Sequence, residues 1–277
     1  MKNPYGKVVF LTGASSGIGQ ACAKTLAEEG FYVYGGSRRG GENTLFESGG
    51  FITMLKVDVT STPSVEEAVK QILAEQGRID ILINCAGIGI SGAVEDCTGE
   101  DGLEQMNTNY AGILRTVRAV LPQMRERRNG LIINIGSVGG IFSIPFQTLY
   151  SSSKYAVEAL TEGLRIELKP FSVRASLIEP GDVKTGFTAA RRFTQASKTT
   201  AYGDEFRHAI AQMEHDEQNG ADPSLIVRSI LKTIRSKNPP VRRVPGLMYK
   251  VFVFLKRILP ARTVEWILTL MYPKSSK

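Results

Sequence analysis

Short apolar runs alternate along the chain with longer stretches of helical periodicity. Lys7–Leu11 reads as a strand, followed by a glycine-rich turn and a helix from about Ser16 to Glu29. Phe31–Gly36, Ile52–Val57, Ile81–Ile83, Leu131–Ile135 and Val173–Ile178 read as further strands. Helical patterns cover 63–76, 103–127 and 150–169. Strands that are apolar throughout, rather than alternating with polar residues, are buried on both faces. Intervening helices supply the right-handed crossovers that a parallel sheet needs. The predicted fold is α/β: a single Rossmann-type doubly wound parallel sheet with helices on both faces, spanning residues 1–245. A last strand is expected at Val241–Val244. Residues 186–220 are polar and poor in aliphatics, and are predicted to form a flexible substrate loop.

Past residue 245 the pattern changes again. Leu247, Met248, Val251, Phe252, Phe254, Leu255, Ile258 and Leu259 form a stripe at helical spacing, with Lys250, Lys256 and Arg257 largely off it. Pro260 ends that helix, and Trp266-Ile267-Leu268 with Leu270-Met271-Tyr272 begins a second apolar segment. No apolar run approaches the length of a membrane span. Residues 246–277 are therefore expected to be an amphipathic, basic C-terminal helical extension. Two placements remain open for its stripe. It packs over a substrate pocket or another subunit, or it lies on an anionic membrane as a peripheral contact.

Composition changes this picture little, but charge sharpens it. At 277 residues, 42% hydrophobic and 22% charged, the chain is an ordinary globular one. The net charge of +7 is local: residues 241–277 hold eight of the 34 basic side chains and one of the 27 acidic ones, so the main body is neutral. That excludes a nucleic-acid reading based on overall charge. Cys22, Cys85 and Cys97 lack the spacing of a disulfide framework or a zinc site. Val8-Val9-Phe10-Leu11 is too short for a signal peptide, so a cytoplasmic protein with reduced thiols is expected.

The first strand runs into Thr12-Gly13-Ala14-Ser15-Ser16-Gly17-Ile18-Gly19. Glycines at 13, 17 and 19 allow a tight turn and close approach of a pyrophosphate. The helix behind them offers free N–H groups and its positive end. The second strand ends Gly36-Ser37-Arg38-Arg39, with no carboxylate to take a ribose 2′-hydroxyl and two cations for a 2′-phosphate. NADP(H) is therefore favoured over NAD(H).

Tyr150 and Lys154 stand four residues apart, on one face of a helix. A tyrosine pKa of roughly 10 is too high for easy proton exchange near neutrality, and a nearby ammonium lowers it. Tyr150 is then a candidate general acid or base. Ser137, at a strand end, is placed to hydrogen-bond a substrate carbonyl as charge develops there.

Taken in order, these motifs resemble the short-chain dehydrogenase/reductase family over residues 5–185. TGASSGIG (12–19) matches its cofactor turn, and Asp58-Val59 its adenine-contacting pair. Asn84-Cys85-Ala86-Gly87 stands where NNAG is usual, with Cys85 the departure. Asn109-Tyr110-Ala111-Gly112 matches NxxG, and Pro180-Gly181 with Val183 and Thr185 matches the motif near the nicotinamide amide. The resemblance implies that Asn109, Ser137, Tyr150 and Lys154 are catalytic. It also implies that Gly13, Ser15, Ser16, Gly17, Ile18, Gly19, Ser37, Arg38, Arg39, Asp58, Val59, Asn84, Ala86, Gly87, Tyr150, Lys154, Pro180, Gly181, Val183 and Thr185 contact the cofactor. Lys154 is implied to bind the nicotinamide ribose, lower the pKa of Tyr150, and join a relay through a water on the Asn109 backbone.

The expected activity is NADP(H)-dependent interconversion of a secondary alcohol and a ketone on a bulky lipophilic substrate. Similar tails occur in family members acting on steroids and retinoids, so the resemblance implies hydroxysteroid or retinol dehydrogenase-like chemistry, with a hydroxysteroid as the expected substrate. The alternatives are a 3-oxoacyl thioester reductase, which the long tail disfavours, and a non-catalytic nucleotide sensor, which has no need of the Ser137–Tyr150–Lys154 set. A methyltransferase would not need the Tyr150–Lys154 pair. The family's habits make a homo-oligomer the expected state. Arg191 and Arg192 are expected to be solvated loop residues, and His208 and His215 surface residues.

Overall fold

A computed structural model describes residues 3–272. Its strands are β1 (Val8–Thr12), β2 (Tyr32–Ser37), β3 (Thr44–Leu45), β4 (Phe51–Lys56), β5 (Ile81–Asn84), β6 (Ile90–Ser91), β7 (Gly130–Ile135), β8 (Val173–Ile178), β9 (Arg192–Phe193) and β10 (Arg242–Arg243). The helices are α1 (Gly17–Glu28), α2 (Thr62–Gln76), α3 (Gly99–Met106), α4 (Gly112–Glu126), α5 (Thr148–Leu168), α6 (Gly203–Gln218), α7 (Pro223–Ile234), α8 (Leu247–Ile258) and α9 (Ala261–Met271). The main sheet runs β10-β8-β7-β5-β1-β2-β4-β3. It is parallel except at its edge, where β3 pairs antiparallel with β4.

Alternation of side chains along each strand sorts the core into two layers. Val9, Leu11, Ile81, Ile83, Leu131 and Ile133 face α1 and α7. Val8, Phe10, Leu82 and Ile132 face α2, α4 and α5. Each such buried apolar side chain contributes roughly 1.5–3 kcal/mol by leaving water. Strand order reverses between β1 and β5, and ligand crevices form at such switch points, outside the carboxyl ends of the strands.

The expected strands lie within a residue or two of those observed, and the doubly wound sheet stands. Four details differ. The 103–127 helical pattern is interrupted, because a wide π-helical turn at Asn107–Ala111 separates α3 from α4. The segment 186–220 is not one flexible loop: β9 pairs with β6, and α6 takes up its second half. Arg191 is not solvated but buried, its guanidinium paired with Glu217 beside α6. Arg192 does reach the surface, where it pairs with Asp101 at 2.8 Å and Glu104 at 2.9 Å. Finally, α7 went unassigned in the sequence pattern. Its start is signalled by Asp222-Pro223: Asp222 caps the Ser224 N–H at 2.8 Å, and Pro223 sits where no amide donor is needed.

The extension forms two helices hinged at Pro260. Part of its apolar stripe faces water, with Leu247 78% and Phe254 61% exposed, while Phe252, Leu255 and Leu259 are half-buried. Among the described residues, no helix is long and apolar enough to cross a membrane. Lys274 and Lys277 of the basic tail lie outside the described residues.

Candidate active site

The cleft at the switch point has a volume of about 810 Å³, within the usual range for a ligand site. The turn after β1 forms one end. Gly13 and Gly17 have φ of +74° and +53°, a region that L side chains avoid. A Cβ on Gly19 would meet the Gly13 carbonyl oxygen at 2.1 Å, and one on Gly13 would meet the Ala86 nitrogen at 2.8 Å. The backbone can approach a ligand closely only because these positions are bare. Ser16 precedes α1 in extended conformation without a side-chain cap, so the first N–H groups of the helix remain open to an anion. These features fit a dinucleotide pyrophosphate.

Ser15, Ser16, Ile18, Ser37, Arg38, Arg39, Asp58, Val59, Ala86, Gly87, Pro180, Gly181, Val183 and Thr185 all line this cleft. Arg38 and Arg39 are exposed at its rim. Ser37 turns its hydroxyl to the Gly40 carbonyl at 2.9 Å, which shapes the arginine turn. Asp58 accepts from the Thr60 N–H at 2.9 Å and the Thr60 hydroxyl at 2.7 Å, which together hold its carboxyl below the ordinary range.

Two expected contacts do not reach the cleft through their side chains. Asn84 is buried between strands: it donates to Asn134 Oδ1 at 2.9 Å and accepts from the Thr116 hydroxyl at 2.7 Å. A buried amide must satisfy its own donors and acceptor, and here the neighbouring strand and helix do so. Asn109 sits in the π-helical turn. Its amide clamps the Ile88 backbone, accepting from the N–H at 2.9 Å and donating to the carbonyl at 3.1 Å; it also donates to Ser153 Oγ at 3.0 Å. Only its backbone is left for a relay. Cys85, in place of the usual asparagine, packs against the core, and burial pushes its thiol up to about 11.

Ser137 follows β7 and Tyr150 opens α5. The Ser137 hydroxyl accepts from the Gly139 N–H at 3.0 Å and also faces the Tyr150 phenol. Lys154 is buried, and its Nζ donates to the Ile135 carbonyl at 2.8 Å. That nitrogen lies 5.6 Å from the Tyr150 ring centroid. Desolvation lowers Lys154 to about 8. The expected depression of Tyr150 does not appear in this arrangement. Burial dominates and pushes the phenol up to about 12, while the bond to Ser137 and the charge of Arg191 act the other way. Lys154 is committed to a carbonyl, and burial makes the phenolate costly.

Beyond Tyr150 the cleft has a wall that the sequence reading missed. Phe187 lies against Tyr150, with ring centroids 5.7 Å apart. Ile144, Met213 and Tyr272 continue the apolar surface, and Asp182, Asp216 and Glu217 add carboxylates. Glu217 takes the Arg191 guanidinium and accepts from Thr188 Oγ1 at 2.5 Å. Asp182 is anchored by Tyr249, whose hydroxyl donates to Oδ2 at 2.6 Å and accepts from the Asp182 N–H at 3.0 Å. Burial raises the Asp182 carboxyl above its ordinary range. No local motif marks these residues; they come together only because α6 and the extension fold over the sheet. His208 and His215 are at the surface, as expected.

The sequence profile described as short chain dehydrogenase matches residues 7–196. The chain belongs to the short-chain dehydrogenase/reductase family. It is 43% identical over 268 residues to the 3-ketodihydrosphingosine reductase of Bacteroides thetaiotaomicron, covering 96% of this chain and 98% of that one. Retinol dehydrogenase 8 of Homo sapiens is 33% identical over 269 residues, covering 91% of this chain and 85% of the relative. Among solved structures, a short-chain dehydrogenase from Streptomyces avermitilis superposes with a TM-score of 0.80 at 29% identity, covering 98% of this chain and 97% of that one. The protein is thus an NAD(P)-dependent oxidoreductase of this family.

Proposed function

We propose that the protein reduces the carbonyl of a long-chain lipophilic ketone that carries an amine beside it, using NADPH. The observation that carries this reading is the joint lining of the cleft beyond Tyr150. An apolar wall of Ile144, Phe187 and Met213 meets the carboxylates Asp182, Asp216 and Glu217. The charges of Glu217 and Asp182 are felt at the Tyr150 phenol itself. Glu217 is taken by Arg191 and Asp182 by Tyr249, which leaves Asp216 to meet an ammonium next to the carbonyl, a contact that a neutral alkyl ketone could not use. The reductase from Bacteroides thetaiotaomicron supports the reading, because 3-ketodihydrosphingosine is by its name a long-chain 2-amino-3-ketone. Retinol dehydrogenase 8 favours a second reading, a neutral bulky alcohol such as a retinoid or hydroxysteroid.

In this reading NADPH, when bound, supplies the hydride. The turn from Gly13 to Gly19 cradles its pyrophosphate, and Arg38 and Arg39 pair with its 2′-phosphate. Asp58 and Val59 flank the adenine, while Ala86, Gly87, Pro180, Gly181, Val183 and Thr185 border the nicotinamide half. Ser137 hydrogen-bonds the substrate oxygen as charge grows on it. Tyr150, fully protonated at neutral pH, donates its proton to that oxygen. Lys154 holds the ribose and stabilises the phenolate left behind, and the Asn109 backbone carries the relay onward. A homo-oligomer in the cytoplasm belongs to the same reading.

The test is NADPH oxidation with a long-chain 2-amino-3-ketone, its N-acetyl derivative and a ketosteroid. The free amine should be preferred in kcat/KM. Asp216→Asn should raise KM for the amine by about tenfold, the worth of one charge-assisted contact, and leave the N-acetyl derivative unchanged. Equal rates for amine and N-acetyl ketone would move the assignment to the neutral substrate.

A further inference from the structure

Helix α8 has one short buried face and one long apolar face turned to water. Val253 is buried, and Tyr249 packs inward against Gly181 and Asp182. Leu247, Val251, Phe254 and Ile258 recur at i, i+4, i+7 and i+11, and all four are exposed, with Met248 beside them. Helix α9 repeats the plan: Val264 is buried, while Trp266, 62% exposed, and Leu270, one turn on, face outward. Apolar rows of this extent on a surface mark an interaction site.

The charge around the rows selects the partner. Lys250 and Arg257, seven residues apart, form an exposed stripe beside Phe254, and exposed Arg262 follows the Pro260 bend. Glu265 is the one acidic residue from 246 to 272. Aliphatic and aromatic side chains flanked by cations match acyl chains beneath anionic headgroups. We propose that the outward face of α8 and α9 docks on an anionic lipid surface, with both helices lying in the plane of the interface.

The same two helices border the cleft. Tyr249 of α8 holds Asp182, and Tyr272, directly after α9, lines the end beyond Tyr150. Docking therefore sets the rim of the substrate end beside the lipid layer. That consequence for substrate delivery rests on the lipophilic substrate argued above; the docking itself does not.

The test is sedimentation of the full chain with phosphatidylcholine vesicles, with and without phosphatidylglycerol. The chain should sediment with the phosphatidylglycerol vesicles at low salt, be released at high salt, and stay in solution with phosphatidylcholine alone. Val251→Gln with Phe254→Gln removes surface side chains and leaves the core intact. It should cut the partition coefficient by about tenfold or more. Lys250→Gln with Arg262→Gln should do so by about tenfold and flatten the salt dependence. Reduction of a short soluble ketone should be unchanged in both, which separates this proposal from the assignment of the active site. The proposal is overturned if the full chain ignores phosphatidylglycerol vesicles at low salt, or if both variants sediment like the parent. It is also overturned if Phe254→Gln turns a dimer into a monomer in light scattering without changing vesicle binding; the face then belongs to a second copy.

Discussion

Tyr150 shows how far a single side chain can be understood from its neighbours. Its hydroxyl is desolvated at the end of the cleft and opposed only by Ser137 and the charge of Arg191, so it holds its proton firmly. In the proposed mechanism that suits a group that donates a proton once hydride has arrived, and the reverse direction would require a bound cofactor and a charged Lys154. Tyr150→Phe should lower kcat by about 10²–10⁴-fold, the usual worth of general acid catalysis, while the Kd for NADPH, read by fluorescence titration, barely moves. The proposed role of Arg38 and Arg39 concerns a different quantity, the choice of cofactor. A charge-assisted bond contributes about 1.5–3 kcal/mol. Replacing both by alanine removes two such bonds and should reduce kcat/KM for NADPH by about a hundredfold or more while leaving NADH nearly untouched. Equal losses with the two cofactors would remove these residues from the choice.

Elements position these side chains by means that the sequence only partly advertises. The start of α1 is open to an anion because glycines precede it and its cap makes no bond. The π-helical turn at Asn107–Ala111 aims the Asn109 amide at Ile88 and so fixes the strand-to-loop junction after β5. Helix α8 reaches back to the loop after β8 through Tyr249. Removing that hydroxyl leaves the half-buried Asp182 carboxylate and N–H without their partner, which costs about 1–3 kcal/mol. Tyr249→Phe should therefore unfold at lower urea, with an unchanged m-value as the check that the folded state is otherwise intact.

At the scale of the whole molecule, one buried cluster ties the sheet edge to the helices. Glu179 at the end of β8 is fully buried, with Arg242 Nε of β10 3.8 Å from its Oε2. Arg242 also pairs with Glu158 of α5 at 3.0 Å and with Glu162. Burial, followed by the neighbouring Glu158, pushes the Glu179 carboxyl to about 9. The folded chain then keeps a proton that the unfolded chain has released, from the ordinary carboxyl range up to that value. Stability accordingly falls as pH rises through this window. Glu179→Gln should flatten that slope in thermal unfolding and raise the midpoint most near its alkaline end. An unchanged slope would mean that the cluster titrates as a paired, charged network.

The sequence by itself determined the doubly wound sheet, the glycine turn and the Ser137–Tyr150–Lys154 set. Each depends on local spacing: apolar runs, bare Cα positions before a helix, and an i, i+4 pair. It also showed that the basic excess is confined to the tail. Only the tertiary structure decided that the Asn84 side chain serves the core and that Arg191 is buried against Glu217. The same is true of the carboxylates and aromatic rings that meet beyond Tyr150. Those residues come from the loop after β8, from α6 and from the extension, far apart in the chain, and no periodicity links them. The direction of the α8 stripe was equally hidden. An amphipathic pattern says that two faces differ, and only packing says which of them the core uses; here the core takes Val253 and Tyr249 and leaves the row of Leu247, Val251, Phe254 and Ile258 to the surface.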